Sequence, residues 1–171
     1  MIRTVLFDLD GTLLNTLTDL SNSVNFALKA HELPERTVQE IRAFLGNGIR
    51  NLIEKSVPFN TSVEVLDKVF QSFKTYYLKH GLDYTTPYAG IMPLLEKLKK
   101  ESFKMAIISN KVDAAVQQLN SQFFADYMDI AVGEKPNVKR KPAPDSVLFA
   151  MEALGAQPDT TLYIGDSEVD Y

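Results

Sequence analysis

The composition of the chain is that of an ordinary globular protein. Its 171 residues are 45% hydrophobic and 23% charged, which fits one domain or a modest core with a small insertion. The formal net charge of −4 lacks the basic surplus of nucleic-acid-binding proteins, and the absence of cysteine excludes disulfides and thiolate metal sites. No apolar run approaches the roughly 18 residues that span a bilayer. We therefore expect a cytoplasmic protein with no nucleic-acid and no membrane partner.

The first predicted element is a short strand, and helices follow it. Residues 3–8 (RTVLFD) form a continuously apolar run, which is typical of a strand buried on both faces of a parallel sheet. Residues 16–31 have helical spacing, with Thr16 and Asp19 approximating a capping box and Asn15 as an alternative cap. Four helices without an intervening strand indicate an insertion. The other three helices are predicted at 37–44, 49–56 and 62–80.

Strands and helices alternate along the rest of the chain. This alternation predicts an α/β fold, a doubly wound parallel sheet (a Rossmann-like core) with an inserted helical-bundle cap domain. We place the core at residues 1–14 and 83–171 and the cap at 15–82. The cap would then cover the carboxyl ends of the strands, where open α/β sheets bind ligands. The predicted elements are helices at 91–101 and 113–124, strands at 104–110, 129–132 and 161–166, and a helix that Asp145 caps and that ends at Leu154.

Three of the predicted strands end in polar side chains. The first ends at Asp8, the second at Ser109 and Asn110, and the third at Asp166, while Lys141 precedes a helix. Because parallel strands bring their carboxyl ends to one edge of a sheet, we expect these groups to lie close together. Carboxylate oxygens suit Mg²⁺, a lysine and backbone N–H groups suit a phosphoryl group, and an aspartate can attack phosphorus. The pattern predicts phosphoryl transfer through an aspartyl-phosphate.

The chain resembles the haloacid dehalogenase-like hydrolase superfamily in four ordered motifs, FDLDGTLLNT, IISN, KRKPAPD and YIGDSEVD. Three stretches resemble the phosphoglycolate phosphatase-like branch of this superfamily: PYAGIMPLLEKLKK, ISNK and FLGNGIRNLIEKS. The resemblance covers nearly the whole chain. It implies a Mg²⁺-dependent phosphatase that acts on a small phosphorylated metabolite, with phosphoglycolate as the first candidate substrate.

The resemblance also implies catalytic roles at matching positions. Asp8 would be the nucleophile, and Asp10 would be the general acid for the leaving group and then the base for water. Ser109 and the backbone of Asn110 would bind the transferred phosphoryl group, and Lys141 would neutralise charge there. The alternatives are a solvated turn at the two aspartates, a hydroxyl bonded to backbone at Ser109 and a solvated basic run around Lys141.

The resemblance further implies a metal site and a phosphate loop. Asp166 would bind Mg²⁺ together with the Asp8 carboxylate and the Asp10 backbone carbonyl. Asp170 would support the metal directly or through water, or alternatively lie in the first turn of a helix where the dipole favours it. Gly11 and Thr12 would shape the loop around the phosphate.

Three further features carry expectations of their own. Arg50, which follows the GNG stretch of the cap, is either a bidentate ligand for a substrate carboxylate or a surface arginine. Asn15 stands where the superfamily commonly has Asp, so a charge is lost there while a helix cap is retained. Relatives continue beyond the last motif whereas this sequence stops at Tyr171. We expect a fragment with a truncated core, the alternative being a protein that is itself truncated and less stable.

Other functions on the same residues stay open at this point. A phosphosugar mutase would share the aspartyl-phosphate intermediate but return the phosphoryl group to a sugar. A non-catalytic phosphate-binding protein could use the same fold. Dehalogenation fits less well because it needs no Mg²⁺ and would leave Asp10 and Asp166 without a role.

Overall fold

The structure of the chain, a computed structural model, describes residues 1–136 and 138–170. Tyr171, at which the sequence was predicted to be truncated, lies outside the described residues. The strands are β1 (Thr4–Phe7), β2 (Leu14–Asn15), β3 (Thr86–Pro87), β4 (Lys104–Val112), β5 (Ile130–Glu134) and β6 (Thr161–Ile164). The helices are α1 (Leu17–Ala30), α2 (Val38–Phe44), α3 (Gly48–Ser56), α4 (Val63–His80), α5 (Ile91–Lys100), α6 (Asp113–Phe123) and α7 (Asp145–Leu154). Short 3-10 helices occupy Pro158–Thr160 and Glu168–Asp170.

A four-stranded parallel sheet organises the part of the chain that carries the motifs. Its strands lie in the order β5-β4-β1-β6, and Phe7 at the end of β1 is opposite Ile107 of β4 and Ile164 of β6. All four residues of β1 are buried, because helices flank the sheet and an apolar core forms against it. The predicted parallel α/β fold is confirmed. The residues of that core are Leu6, Ala106, Ile108, Val132, Ala150, Met151 and Leu154.

The chain divides into two compact units, residues 15–86 and residues 1–14 with 87–171. Residues 15–86 contain helices α1 to α4 around their own apolar core, in which Val24, Ile41 and Phe73 are fully buried. Thr37 and Glu40 form a capping box at the start of α2, which fixes that helix boundary. The role of this unit as a cap stays a prediction. No helix among the described residues is long and apolar enough to cross a membrane.

The predicted cap at Asp145 and the predicted capping box of Thr16 with Asp19 are wrong. Asp145 is the first residue of α7, and Pro144 is the N-cap residue, as its fixed φ suits a helix entry. Thr16 is the N-cap residue of α1 but makes no side-chain cap hydrogen bond. The predicted partner, Asp19, is buried and its carboxylate accepts hydrogen bonds from the backbone N–H groups of residues 84 and 85. The Asn15 side chain accepts from the N–H of residue 17 at 3.4 Å, as expected for the alternative cap.

Candidate active site

Lys141 lies at the centre of a buried polar cluster at the carboxyl ends of β1 and β6. Its Nζ donates to Asp8 Oδ1 at 2.7 Å, to Asp170 Oδ1 at 2.6 Å and to the Tyr163 hydroxyl at 3.0 Å. The Tyr163 hydroxyl in turn donates to Asp170 Oδ1 at 3.0 Å. Asp8 lies in this cluster because it directly follows the buried strand β1. The cluster thus joins residues that are 133 positions apart in the sequence.

Burial and neighbouring charges set different pKa values for these groups. Burial raises the pKa of Asp8 to about 7, although Lys141 acts to lower it. Burial also acts to raise the pKa of Asp170, but hydrogen bonds and the charge of Lys141 hold it below its usual value. Desolvation and the charge of Asp170 raise the pKa of Asp166. Burial, with the nearby carboxylates, raises the pKa of Tyr163, so its hydroxyl keeps its proton.

Three carboxylates of the cluster form a candidate metal site. One oxygen from each of Asp8, Asp166 and Asp170 lies within 4.8 Å of the other two. The three carboxylates carry a formal charge of −3 when ionised, and Lys141 offsets only one of these charges. A divalent cation would neutralise the remainder, and oxygen ligands suit a hard cation such as Mg²⁺. The residues present therefore fit a divalent metal ion.

Two glycines allow the carboxylates to come this close. Gly11 has a φ of 90°, and a Cβ atom on it would overlap the Asp166 carboxylate. A Cβ atom on Gly165 would likewise overlap the Asp170 side chain. Thr12, next to Gly11, directs its hydroxyl to Asp166 Oδ1 at 3.4 Å. The absence of a side chain at Gly11 and at Gly165 thus lets the Asp166 and Asp170 carboxylates pack closely against the backbone.

The end of β4 contributes the next group of polar side chains. Ser109, Asn110 and Lys111 are all buried, and the pairing of β4 with β5 changes register between Ile108 and Val112. The Asn110 side chain donates to the Lys141 carbonyl at 3.0 Å and accepts from the Lys141 N–H at 2.8 Å. The predicted phosphate-binding strand end is therefore tied by its side chain to the loop that carries the lysine.

The structure adds two residues that the sequence reasoning missed. Lys111 Nζ donates to Asp10 Oδ1 at 2.8 Å, and this ion pair is largely shielded from solvent. Tyr163 contacts both Lys141 and Asp170, as described above. A signal for Lys111 was available, because residues 109 and 111 share one side of an extended strand. Tyr163 lies in an apolar strand and carried no comparable signal.

Arg50 was predicted to be either a substrate ligand or a surface arginine, and the structure places it in α3 of the helical unit. Its guanidinium pairs with Glu54 at 3.0 Å and with Asp67 at 2.6 Å. It also lies over the Phe70 ring, 5.3 Å from the ring centroid. These contacts belong to the helical unit alone, so a contact of Arg50 with substrate stays a prediction. The remaining predicted site residues all lie at the carboxyl ends of the parallel strands or in the segments that follow them: Asp8, Asp10, Gly11, Thr12, Ser109, Asn110, Lys141, Asp166 and Asp170.

Such an arrangement can bind and transfer a phosphoryl group. It combines a buried carboxylate, a lysine that contacts it, a strand-end hydroxyl and a set of metal-binding oxygens, which are the groups that phosphoryl transfer uses. The sequence profile of the haloacid dehalogenase-like hydrolases matches residues 5–171. The chain belongs to this family.

Relatives with known names place the chain more narrowly. It is 34% identical over 170 residues to a phosphoglycolate phosphatase of Aquifex aeolicus strain VF5, an alignment covering 99% of this chain and 78% of that protein. It is 32% identical to the phosphoglycolate phosphatase of Nitrosospira multiformis, covering 97% of this chain and 75% of that protein. The crystal structure of a predicted phosphoglycolate phosphatase from Haemophilus somnus 129pt superposes with a TM-score of 0.92 at 28% identity, covering 99% and 79%. The chain is a phosphoric monoester hydrolase of the phosphoglycolate phosphatase-like branch.

Proposed function

We propose that the protein is a Mg²⁺-dependent phosphatase that hydrolyses a small phosphomonoester through an aspartyl-phosphate on Asp8. The observation that carries the proposal is the buried Asp8 carboxylate, bound by Lys141 and within 4.8 Å of the oxygens of Asp166 and Asp170. The names of the similar proteins make phosphoglycolate the first substrate to test.

In the first step, an Asp8 carboxylate oxygen bonds to phosphorus while the bond to the leaving oxygen breaks. Asp10 gives its proton to that leaving oxygen, so the product departs as an alcohol. In the second step, water attacks phosphorus, its proton passes to Asp10, and the bond between Asp8 and phosphorus breaks. Phosphate is released and both aspartates return to their starting states. Ser109 and Lys141 bind the phosphoryl oxygens during both steps.

Asp8, Asp166 and Asp170 are the side chains that would hold the metal, together with the Asp10 backbone carbonyl. When bound, Mg²⁺ neutralises negative charge on the phosphoryl group and on the nucleophile. The same charge compensation favours the ionised form of Asp8, whose pKa burial raises to about 7. Lys141 acts in the same direction through its hydrogen bond to Asp8.

Residues 15–82 are proposed to act as a cap that restricts the site to small substrates, and Arg50 is proposed to bind a substrate carboxylate. Arg50→Met should then raise KM for phosphoglycolate but leave KM for an uncharged aryl phosphate nearly unchanged, because the aryl substrate has no carboxylate. An equal rise in KM for both substrates would contradict this role.

The central test is turnover of phosphoglycolate and of an aryl phosphate with Mg²⁺ and with excess chelator. We expect release of free phosphate that needs the metal and is lost in Asp8→Asn. Turnover that survives Asp8→Asn would refute the mechanism. Return of the phosphoryl group to a sugar, without net phosphate release, would instead identify a mutase. Binding of a metal-fluoride phosphoryl mimic without any turnover would identify a non-catalytic phosphate-binding protein.

A further inference from the structure

The ion pair between Lys111 and Asp10 is largely shielded from solvent, unlike the ion pairs on the protein surface. The Lys111 and Asp10 side chains are 3% and 23% exposed, and their N–O distance is 2.8 Å. A pair of nearly equal length on α5, Lys100 with Glu96 at 2.7 Å, has side chains that are 74% and 58% exposed. Exposed pairs of this kind stabilise little, whereas removing one partner of a buried pair leaves an uncompensated charge. The contact therefore restrains both side chains.

Lys111 also has a fixed place beside the phosphate-binding strand end. Its backbone N–H donates to Ser109 Oγ at 3.2 Å. This contact ties the two residues together within the segment of β4 where the pairing with β5 changes register. Asp8 directly follows β1, which neighbours β4 in the sheet, and Asp10 lies two residues further along the chain. Lys111 thus bridges the two strand ends at the general acid.

We propose that Lys111 is a positioning residue that holds the Asp10 carboxylate where it serves the leaving oxygen and then the attacking water. The inference rests on the function proposed above. Lys111 Nζ donates to Asp10 Oδ1, so the other carboxyl oxygen, Oδ2, carries the proton that passes to the leaving oxygen in the first step and is regained from water in the second. Lys111 exchanges no proton in either step. A displacement of a catalytic group by about 1 Å can lower a rate by about 10²-fold.

Leaving-group dependence tests the proposal. With enzyme in excess, release of nitrophenolate from p-nitrophenyl phosphate reports only the first step, and this leaving group needs no proton. Lys111→Met should change that single-turnover rate by less than about threefold, but should lower steady-state turnover of an alkyl phosphate such as glycerol 2-phosphate by about 10²-fold. Lys100→Met is the matched control and should leave both rates unchanged. Equal losses on both substrates, or no loss on the alkyl phosphate, would overturn the proposal.

A double-mutant cycle separates positioning from a general structural role. If Lys111 acts through Asp10, Lys111→Met should lower alkyl phosphate turnover by less than about twofold in an Asp10→Asn background. A further loss as large as in the wild-type background would overturn the proposal. If Lys111→Met does not fold, Lys111→Arg keeps the charge and should retain at least about a tenth of the wild-type alkyl turnover. Activity surviving Asp8→Asn would refute the proposed function independently of any Lys111 result.

Discussion

Replacing Asp8 with Asn should make the metal-free protein more stable at neutral pH while abolishing turnover. Burial raises the pKa of Asp8 from its usual 3.8 to about 7, so between about pH 4 and about pH 7 the folded protein holds a proton there that the unfolded chain has released. A shift of one pKa unit corresponds to about 1.4 kcal/mol. The ionised Asp8 carboxylate therefore lowers the free energy of unfolding by about 4 kcal/mol. Asn has nearly the same shape and carries no charge, so it removes this penalty.

The sign of the pH dependence follows from the number of bound protons. Below about pH 4 both states carry the proton on Asp8, and the residue contributes no difference. Between about pH 4 and about pH 7 the folded state binds one proton more than the unfolded state, so stability falls as the pH rises. Above about pH 7 both states have released the proton and the penalty is constant.

Urea denaturation in excess chelator, at about pH 4.5 and about pH 8, measures the effect. The free energy of unfolding of Asp8→Asn should exceed that of the wild type by up to about 4 kcal/mol at the higher pH, with a much smaller difference at the lower pH. Asp159→Asn, at an exposed position in the same unit, should follow the wild type. Saturating Mg²⁺ should reduce the difference in free energy of unfolding between the two proteins, because it stabilises the ionised wild-type site. Parallel pH profiles for wild type and Asp8→Asn would refute the reasoning.

Three further substitutions test contacts of the fold. Asp19→Ala removes the buried acceptor of the Thr85 N–H and hydroxyl groups and should lower the free energy of unfolding by about 3 kcal/mol, so a loss below about 1 kcal/mol would contradict it. Tyr163→Phe removes only the hydroxyl that joins Lys141 and Asp170, and a loss of about 1 to 2 kcal/mol in urea denaturation is expected. Thr37→Ala breaks the capping box of α2 and should lower thermal stability by the equivalent of about 1 kcal/mol, whereas an unchanged Tm would show that the box is dispensable.

The sequence predicts the two central strands of the sheet because both are buried. Residues 3–8 form a continuously apolar run and residues 104–110 were predicted as a second buried strand, and β1 and β4 follow them closely. The two-residue strands β2 and β3 were not predicted, because two residues carry no periodic signal. The helical insertion was predicted from a different pattern. Its four segments have helical periodicity, and no strand-like run lies between them.

Side-chain partners were harder to predict than elements. Thr16 and Asp19 have capping-box spacing, yet Asp19 binds backbone N–H groups more than 60 residues away. Nothing local encodes that contact, because the donors reach Asp19 only when the helical unit closes its core. Lys111 and Tyr163 were missed for a related reason. Lys111 contacts Asp10, which is 101 positions away in the sequence, and Tyr163 contacts Asp170 across a turn. Both contacts depend on the order and register of the strands.

The Asn110 side chain and the Lys141 backbone form two reciprocal hydrogen bonds. Because of them, the position of Lys141 does not depend on the sequence of the loop before it. Both the N–H and the carbonyl of Lys141 are anchored to the end of a core strand. The stretch that precedes Lys141 can therefore vary in composition or length without moving the ammonium group away from Asp8. Mutational drift in that stretch should be tolerated, whereas Asn110 itself should accept few substitutes.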